Sequence, residues 1–137
     1  MLEKFLPRQD FSSYEDFIAN YQVNVPPRFN FAYDVVDGWT REEPEKPALA
    51  WMNGALEERI VTFREVTERS NQAANLFKAH GIRKGDRVLL ILKQRIEVWI
   101  CMIALHKIGA VVIPASFQLK KHDLVYRFNA ADVKIAV

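Results

Sequence analysis

A continuous run of aliphatic residues at Val88–Leu92 constrains the fold of this chain more than any other feature of its sequence. A strand without polar alternation is typical of a sheet that is covered on both faces. A mostly apolar helix is predicted next, over residues 95–107, and Ala110–Ile113 predicts a second buried strand. The chain therefore contains at least one strand-helix-strand unit.

The same order repeats toward the end of the sequence. Leu124, Val125 and Phe128 have the spacing of a helical stripe, and Val133–Val137 is a last apolar run. Strands that alternate with helices imply right-handed crossovers. The sequence therefore predicts an α/β fold in which helices flank a parallel β-α-β sheet.

Two short helices are predicted upstream, within residues 1–47. Apolar residues recur at helical spacing over 11–21, where Ser12 and Glu15 are spaced as a capping box. Asn30 is placed to cap the second helix. Because isolated helices of this length are unstable in water, we expect residues 1–47 to form a helical extension packed on the rest of the chain.

A hairpin and a longer helix are predicted between the extension and the aliphatic run. The turn pair Asn53-Gly54 joins the two strands of the hairpin. Thr62 and Glu65 are spaced as a second capping box, so a helix is expected to begin at Phe63. The predicted core-facing stripe of this helix consists of Phe63, Val66, Ser70, Ala73, Ala74 and Phe77.

Composition and charge argue against several classes of function. The chain has 137 residues, enough for one domain with its own core. Its formal net charge is only +2, whereas a protein that neutralises many phosphates normally has a clustered basic face, so a nucleic-acid partner is not expected. The longest apolar stretch, Val98–Leu105, is too short to span a membrane, and the charged N-terminus does not resemble an export signal. We therefore expect a cytoplasmic location.

Residues that carry catalytic or ligand-binding chemistry are sparse. The five glycines form no phosphate-binding loop, and His80, His106 and His122 are too scattered for a metal site. Cys101 lies in the apolar helix, where a thiol is usually inert, and as the only cysteine it excludes an internal disulfide. Two interpretations of the basic residues Lys120–His122 stay open, a surface for an anionic ligand and, favoured, a solvated helix start. The three tryptophans are interpreted as core anchors. No catalytic residue and no metal ligand is predicted.

Several segments resemble, in order, the core motifs of the superfamily of AMP-forming acyl-CoA synthetases, luciferases and adenylation domains. Two flanking stretches, Phe29–Trp39 and Pro114–Arg127, are similar to the medium-chain acyl-CoA synthetase branch in particular. The segments that resemble the core motifs are Thr62–Phe77, Gly81–Val88 and Leu105–Ala110 with Pro114.

This resemblance implies that residues 48–137 are the N-terminal portion of an AMP-binding, adenylate-forming domain. Members of the family activate a carboxylic acid with ATP and Mg²⁺ to acyl-AMP, and CoA then displaces AMP to give the thioester. For this branch the resemblance implies a medium-chain fatty or aromatic acid as substrate, with ATP, Mg²⁺ and CoA as cofactors of the parent enzyme. Only Gln118 matches a position that the branch associates with CoA contact.

The family's phosphate-binding loop, ribose-binding Asp and catalytic Lys have no counterpart in this sequence. A strand of central type at Val133–Val137 is also an unusual end for a domain. We therefore expect an incomplete domain that is inactive alone, binds none of these cofactors tightly and self-associates through exposed core surface. Two alternatives stay open: an adenylate-forming enzyme with a carrier-protein acceptor, and a non-catalytic α/β interaction module.

Overall fold

The computed structural model describes all residues from Met1 to Val137, and it contains five α-helices and five strands. A short 3₁₀ turn at Leu2–Lys4 precedes them, and a π-helical turn at Ala32–Val36 leads directly into the second helix. The helices are α1 (Tyr14–Asn20), α2 (Asp37–Glu42), α3 (Phe63–Ala79), α4 (Ile96–Ile108) and α5 (Lys121–Ala131). The strands are β1 (Pro47–Met52), β2 (Glu58–Thr62), β3 (Arg87–Leu90), β4 (Val111–Pro114) and β5 (Ile135–Ala136).

The strands form two separate sheets. β1 and β2 pair as an antiparallel hairpin, while β3, β4 and β5 form a parallel sheet in the order β4-β3-β5. Arg87 is opposite Val111 on one side of β3, and Val88 is opposite Ile135 on the other. The α/β class, the parallel sheet and the hairpin are thereby confirmed.

The central strand β3 is buried on both faces, as its aliphatic sequence predicts. Val88, Leu89 and Leu90 are at most 2% exposed. Helices α3 and α4 cover the face formed by Val88 and Leu90, through a cluster that also includes Ala74, Phe77, Ile82, Ala104, Leu105 and Ala110. Since the chain steps from β3 to β4 and then back across β3 to β5, right-handed crossovers place α4 and α5 on opposite faces of the sheet.

The predicted boundaries of α3 are confirmed in detail. The Thr62 hydroxyl accepts a hydrogen bond from the Glu65 amide, and the Glu65 carboxylate accepts one from the Thr62 amide, so both halves of the capping box are present. After the helix, Gly81 has a φ of 78°, a left-handed conformation that glycine adopts without a side-chain clash. The sequence therefore marks both ends of this helix.

Three local predictions are wrong. The N-cap of α1 is Ser13 and not Ser12, because the Ser13 hydroxyl accepts a hydrogen bond from the Asp16 amide. The Asp16 carboxylate accepts hydrogen bonds from the Arg8 guanidinium and from the amide and hydroxyl of Ser12. These hydrogen bonds, with that of the Ser12 amide first among them, lower the pKa of Asp16 to about 2.

The hairpin turn and the stripe of α5 also differ from expectation. The connection between β1 and β2 spans residues 53–57 and is longer than the predicted two-residue turn. It is closed by the Asn53 side-chain oxygen, which accepts hydrogen bonds from the amides of Ala55 and Glu57. In α5, Val125 is 51% exposed, since the covered face is formed by Leu124 and Phe128. None of the helices has the length and apolar content needed to cross a lipid bilayer.

The expected packing of residues 1–47 on the core holds only for the part that contains the π-helical turn and α2, which is joined to the core by apolar packing and by a buried charge; α1 buries none of its residues. Ala32 and Val36 belong to a cluster with Val61, Val66, Ile96, Ile100 and Ile103. Beside this cluster, the Lys107 ammonium group is 2% exposed and donates to Asp37 Oδ1 at 2.8 Å and to Asn71 Oδ1 at 2.7 Å. The Thr67 hydroxyl also donates a hydrogen bond to Asp37 Oδ1, at 3.0 Å. One ion pair therefore ties α2 to α3 and α4.

We expect Asp37→Ala to lower the free energy of unfolding by about 3–5 kcal/mol, because it leaves the buried ammonium of Lys107 without its counter-charge. Glu43→Ala, which removes the exposed pair with Lys46, is the matched control and is expected to cost at most about 1 kcal/mol. Urea unfolding followed by circular dichroism measures both. Equal losses in the two variants would contradict the assigned role of the buried pair.

Candidate functional site

The parallel sheet has a topological switch point between β3 and β4. These strands are neighbours, yet the chain leaves β3 toward α4 on one face and β4 toward α5 on the other. The two connections therefore diverge at the carboxyl ends of the strands. In open α/β sheets ligands bind in the crevice that forms at such a point.

A cleft of about 480 Å³ lies at this edge of the sheet. The residues that follow β3 form one wall, the residues that follow β4 form another, and the hairpin contributes a single aromatic side chain. The lining residues are Trp51, Leu92, Lys93, Gln94, Arg95, Val98, Trp99, Ala115, Ser116 and Phe117.

Two contacts hold the walls of the cleft together. The indole Nε1 of Trp51 donates to the backbone oxygen of Gln94 at 2.8 Å, which fixes the hairpin against the loop after β3. The ammonium of Lys93 lies 5.2 Å from the centroid of the Phe117 ring, a cation–π distance that joins the β3 loop to the β4 loop. The cleft is thus assembled from three segments that are far apart in sequence.

Both charged side chains that line the cleft, Lys93 and Arg95, are cationic. Arg95 Nε donates to Glu97 Oε2 at 3.2 Å, and Lys93 has no carboxylate partner. The backbone amide of Glu97 lowers the pKa of its own carboxyl group, and Arg95 adds to that effect, so this side chain is an anion that neutralises one cation. The remaining charge of Lys93 favours an anionic ligand.

Gln118 lies in the loop between β4 and α5, one residue beyond the cleft wall. Its side chain is exposed, and its backbone amide donates to the Ser116 hydroxyl at 3.1 Å. The basic residues Lys120–His122 follow at the start of α5 and are exposed, as expected of a solvated helix start. The Lys120 amide donates to the Asp123 carboxylate, so this segment supplies its own helix cap.

No nucleophile or metal-binding cluster adjoins the cleft. Burial raises the pKa of the Cys101 thiol, and the negative charge of Glu97 adds to that rise, so the reactive thiolate is disfavoured. No group of three or more His, Cys, Asp or Glu side chains is close enough to hold a metal ion. The groups that line the cleft can therefore bind and orient a ligand.

Sequence reasoning missed most of the cleft. The sequence predicts all three tryptophans in the core, but Trp99 is 53% exposed and Trp51 is only half-buried, because both lie where the hairpin, α4 and the strand ends meet. The sequence alone predicts no ligand-binding function for Lys93 or Arg95. Their position directly after a doubly buried strand was the available signal, since such positions line the crevice of an α/β sheet.

Comparison with known proteins gives consistent results. The family described as "AMP-binding enzyme" matches residues 36–137. The human acyl-coenzyme A synthetase ACSM3, mitochondrial, is 37% identical over 129 residues, which are 90% of this chain and 22% of that protein. The rat acyl-coenzyme A synthetase ACSM5, mitochondrial, is 42% identical over 116 residues, which are 80% of this chain and 20% of that protein. The chain therefore spans about a fifth of the length of these curated relatives.

Solved structures show the same relationship. The N-terminal subdomain of NpsA from Klebsiella oxytoca superposes with a TM-score of 0.68 at 27% identity, over 76% of this chain and 26% of that chain. Apo MatB from Rhodopseudomonas palustris gives a TM-score of 0.67 at 25% identity, over 78% of this chain and 20% of that chain. The family match over residues 36–137 includes β3, β4 and all the residues of the switch-point cleft, and the chain belongs to the AMP-binding enzyme family.

Proposed function

We propose that this chain is the N-terminal part of a longer AMP-forming acid–thiol ligase, an acyl-CoA synthetase. Such an enzyme joins a carboxylic acid to ATP, giving acyl-AMP and pyrophosphate, and then transfers the acyl group to the thiol of CoA with release of AMP. The observation that carries the proposal is the cationic cleft at the switch point of a sheet that matches the AMP-binding family. Within this scheme residues 1–47 are a helical extension, and residues 48–137 are the start of the synthetase domain.

CoA is favoured over a carrier protein as the acyl acceptor. The acyl-coenzyme A synthetases ACSM3 and ACSM5 are 37–42% identical to this chain. The artificially fused adenylation–PCP di-domain NpsA-ThdA from Klebsiella oxytoca, a structure that includes a carrier protein, is 27% identical with a TM-score of 0.69. The uncompensated charge of Lys93 also suits the phosphate groups of CoA.

In this proposal the chain binds and positions, and the catalytic groups belong to the rest of the enzyme. Gln118 is proposed to contact CoA from the loop after β4, with Lys93 on the opposite wall. Because the chain has neither a carboxylate cluster nor a glycine-rich backbone cradle, we assign no residue here to Mg²⁺ or ATP. A medium-chain fatty or aromatic acid is the proposed substrate of the longer enzyme. A cytoplasmic location stays a prediction.

Gln118→Ala in the longer enzyme is expected to raise the KM for CoA about five- to ten-fold, which corresponds to the loss of one hydrogen bond. Acid-dependent exchange between ATP and pyrophosphate, which reports the first half-reaction, is expected to stay unchanged. Gln72→Ala is the matched control, since Gln72 is an exposed glutamine on α3 away from the cleft. Steady-state thioester formation and the exchange assay together measure both effects.

The two assays separate the possible failures. If the longer enzyme shows no acid-dependent exchange, the ligase proposal fails and the non-catalytic interaction module takes its place. If exchange occurs and a phosphopantetheinyl carrier protein replaces CoA as acceptor, the carrier-protein alternative is correct. If both half-reactions occur and the KM for CoA is unchanged in Gln118→Ala, only the role of Gln118 is lost.

We further propose that the 137-residue chain self-associates when it is isolated. Its accessible surface is 9430 Å². A folded monomer of 15.9 kDa is expected to expose about 7,300 Å², so about 2,000 Å² is in excess. A standard protein interface covers about 800 Å² on each partner. Exposed apolar side chains on α5 and on the edge strand β4, including Tyr126, Val125 and Val111, provide suitable surface.

Sedimentation velocity at increasing protein concentration tests this proposal. We expect the weight-average sedimentation coefficient to rise with concentration between about 1 and 100 μM, since the contact is apolar and reversible. Val125→Lys places a charge on the exposed side of α5 and is expected to weaken the association. Lys121→Ala, at the exposed start of the same helix, is the control. A concentration-independent monomer would contradict the proposal.

A further inference from the structure

The two cations of the switch-point cleft are carried by one tight turn between β3 and α4. The backbone amide of Arg95 donates to the backbone oxygen of Lys93 at 2.7 Å, a bond that closes a three-residue turn with Gln94 at its centre. Both cationic residues are thus the ends of the same turn. A movement of the turn therefore moves both charges.

The central carbonyl group of this turn is held by the hairpin. No backbone amide donates to the Gln94 oxygen, and its donor is the indole Nε1 of Trp51, at 2.8 Å. A backbone carbonyl group in a folded protein needs such a partner. The hydrogen bond therefore couples the orientation of the peptide group between Gln94 and Arg95 to the position of Trp51.

Trp51 itself lies on a firmly packed part of the hairpin. Leu49 and Trp51 are two residues apart on β1, so their side chains extend from the same face of the strand. Both pack against the apolar cluster that contains Val61 and Val66. Val61, on the partner strand β2, has no exposed surface. The indole ring is therefore supported by the core while its N–H group reaches the turn, and groups carried by strands are placed more precisely than groups carried by loops.

The turn also borders a second cavity, beside the hairpin loop. This cavity of about 480 Å³ shares four lining residues with the switch-point cleft: Trp51, Lys93, Gln94 and Phe117. Lys93 therefore lies at the boundary between two cavities, where the middle of an extended ligand would pass. CoA has this form, because its anionic diphosphate group joins a nucleotide to an uncharged pantetheine arm. An ammonium group at the boundary suits that diphosphate.

We propose that Trp51 is a positioning residue for the acyl acceptor: by holding the Gln94 carbonyl group, its indole N–H places the Lys93 ammonium group against the diphosphate of CoA. Trp51 acts through Lys93, because the other cation of the turn, Arg95, is already paired with Glu97. The inference rests on the proposed ligase function and adds to it a residue of the hairpin, which is a separate sheet from the one that forms the switch point.

The first test is Trp51→Phe in the longer enzyme, which removes the N–H donor and keeps an aromatic ring. We expect the KM for CoA to rise about three- to ten-fold, the ratio that one hydrogen bond provides. We expect kcat and the acid-dependent exchange between ATP and pyrophosphate to stay unchanged. Trp39→Phe is the matched control and is expected to leave the KM unchanged, since Trp39 stacks on Phe63 and does not line the cleft.

A double-mutant cycle with Lys93→Met tests whether Trp51 acts through Lys93. The methionine removes the charge and keeps a long side chain. We expect Lys93→Met to raise the KM for CoA at least as much as Trp51→Phe does. We expect the double variant to have the same KM as Lys93→Met alone, because the charge that Trp51 positions is then absent. Circular dichroism and urea unfolding establish that each variant is folded.

Three results would overturn the role of Trp51 alone, provided that the unsubstituted enzyme shows acid-dependent exchange. The first is an unchanged KM for CoA in Trp51→Phe. The second is multiplication of the two effects in the double variant, which would show that Trp51 acts independently of Lys93. The third is a joint fall of kcat, exchange rate and urea midpoint in Trp51→Phe, as expected of a residue that only packs the hairpin. An unsubstituted enzyme without exchange activity would instead remove the ligase function, and the role of Trp51 with it.

Discussion

The burial of β3 on both faces is the constraint on which the rest of this structure depends. A strand made of Val88, Leu89 and Leu90 has no polar side to present to water, so it must be covered above and below and paired at both edges. Helices α3 and α4 cover one face, the right-handed crossover from β4 to β5 places α5 on the side of the other face, and β4 and β5 pair with the two edges. The divergence of the connections after β3 and β4 follows from this arrangement, and so does the cleft between them.

The buried ion pair of Lys107 and Asp37 has a different role from the apolar clusters. Apolar contacts are non-directional and would tolerate several ways of placing the N-terminal helices. An ammonium group that must meet one carboxylate and one amide oxygen selects a single placement of α2 against α3 and α4.

Elements with local signals were predictable from the sequence, and sites assembled from distant segments were not. Helix α3 carries its own capping box and terminal glycine, and β3 carries its aliphatic run, so both were predicted with nearly correct limits. The cleft needs Trp51, Lys93 and Phe117 from three segments, and no local pattern brings those together. The partner of Lys107 lies on α2, far away in sequence, so nothing near Lys107 marks it as buried. Gln118 was recognised only through resemblance to a family, and its role stays a prediction.

The order of strands in the sheet also has a consequence for how the chain is made. During synthesis β3 first meets β4, which follows it after one helix, but its other edge waits for β5 near the end of this sequence. In the sheet the backbone amide of Val137 donates to the Leu89 oxygen, and the Val137 oxygen accepts from the Ile91 amide. Until those bonds form, the nascent chain presents an unpaired edge of its most hydrophobic strand, which is the kind of surface that folding intermediates aggregate through and that chaperones shield.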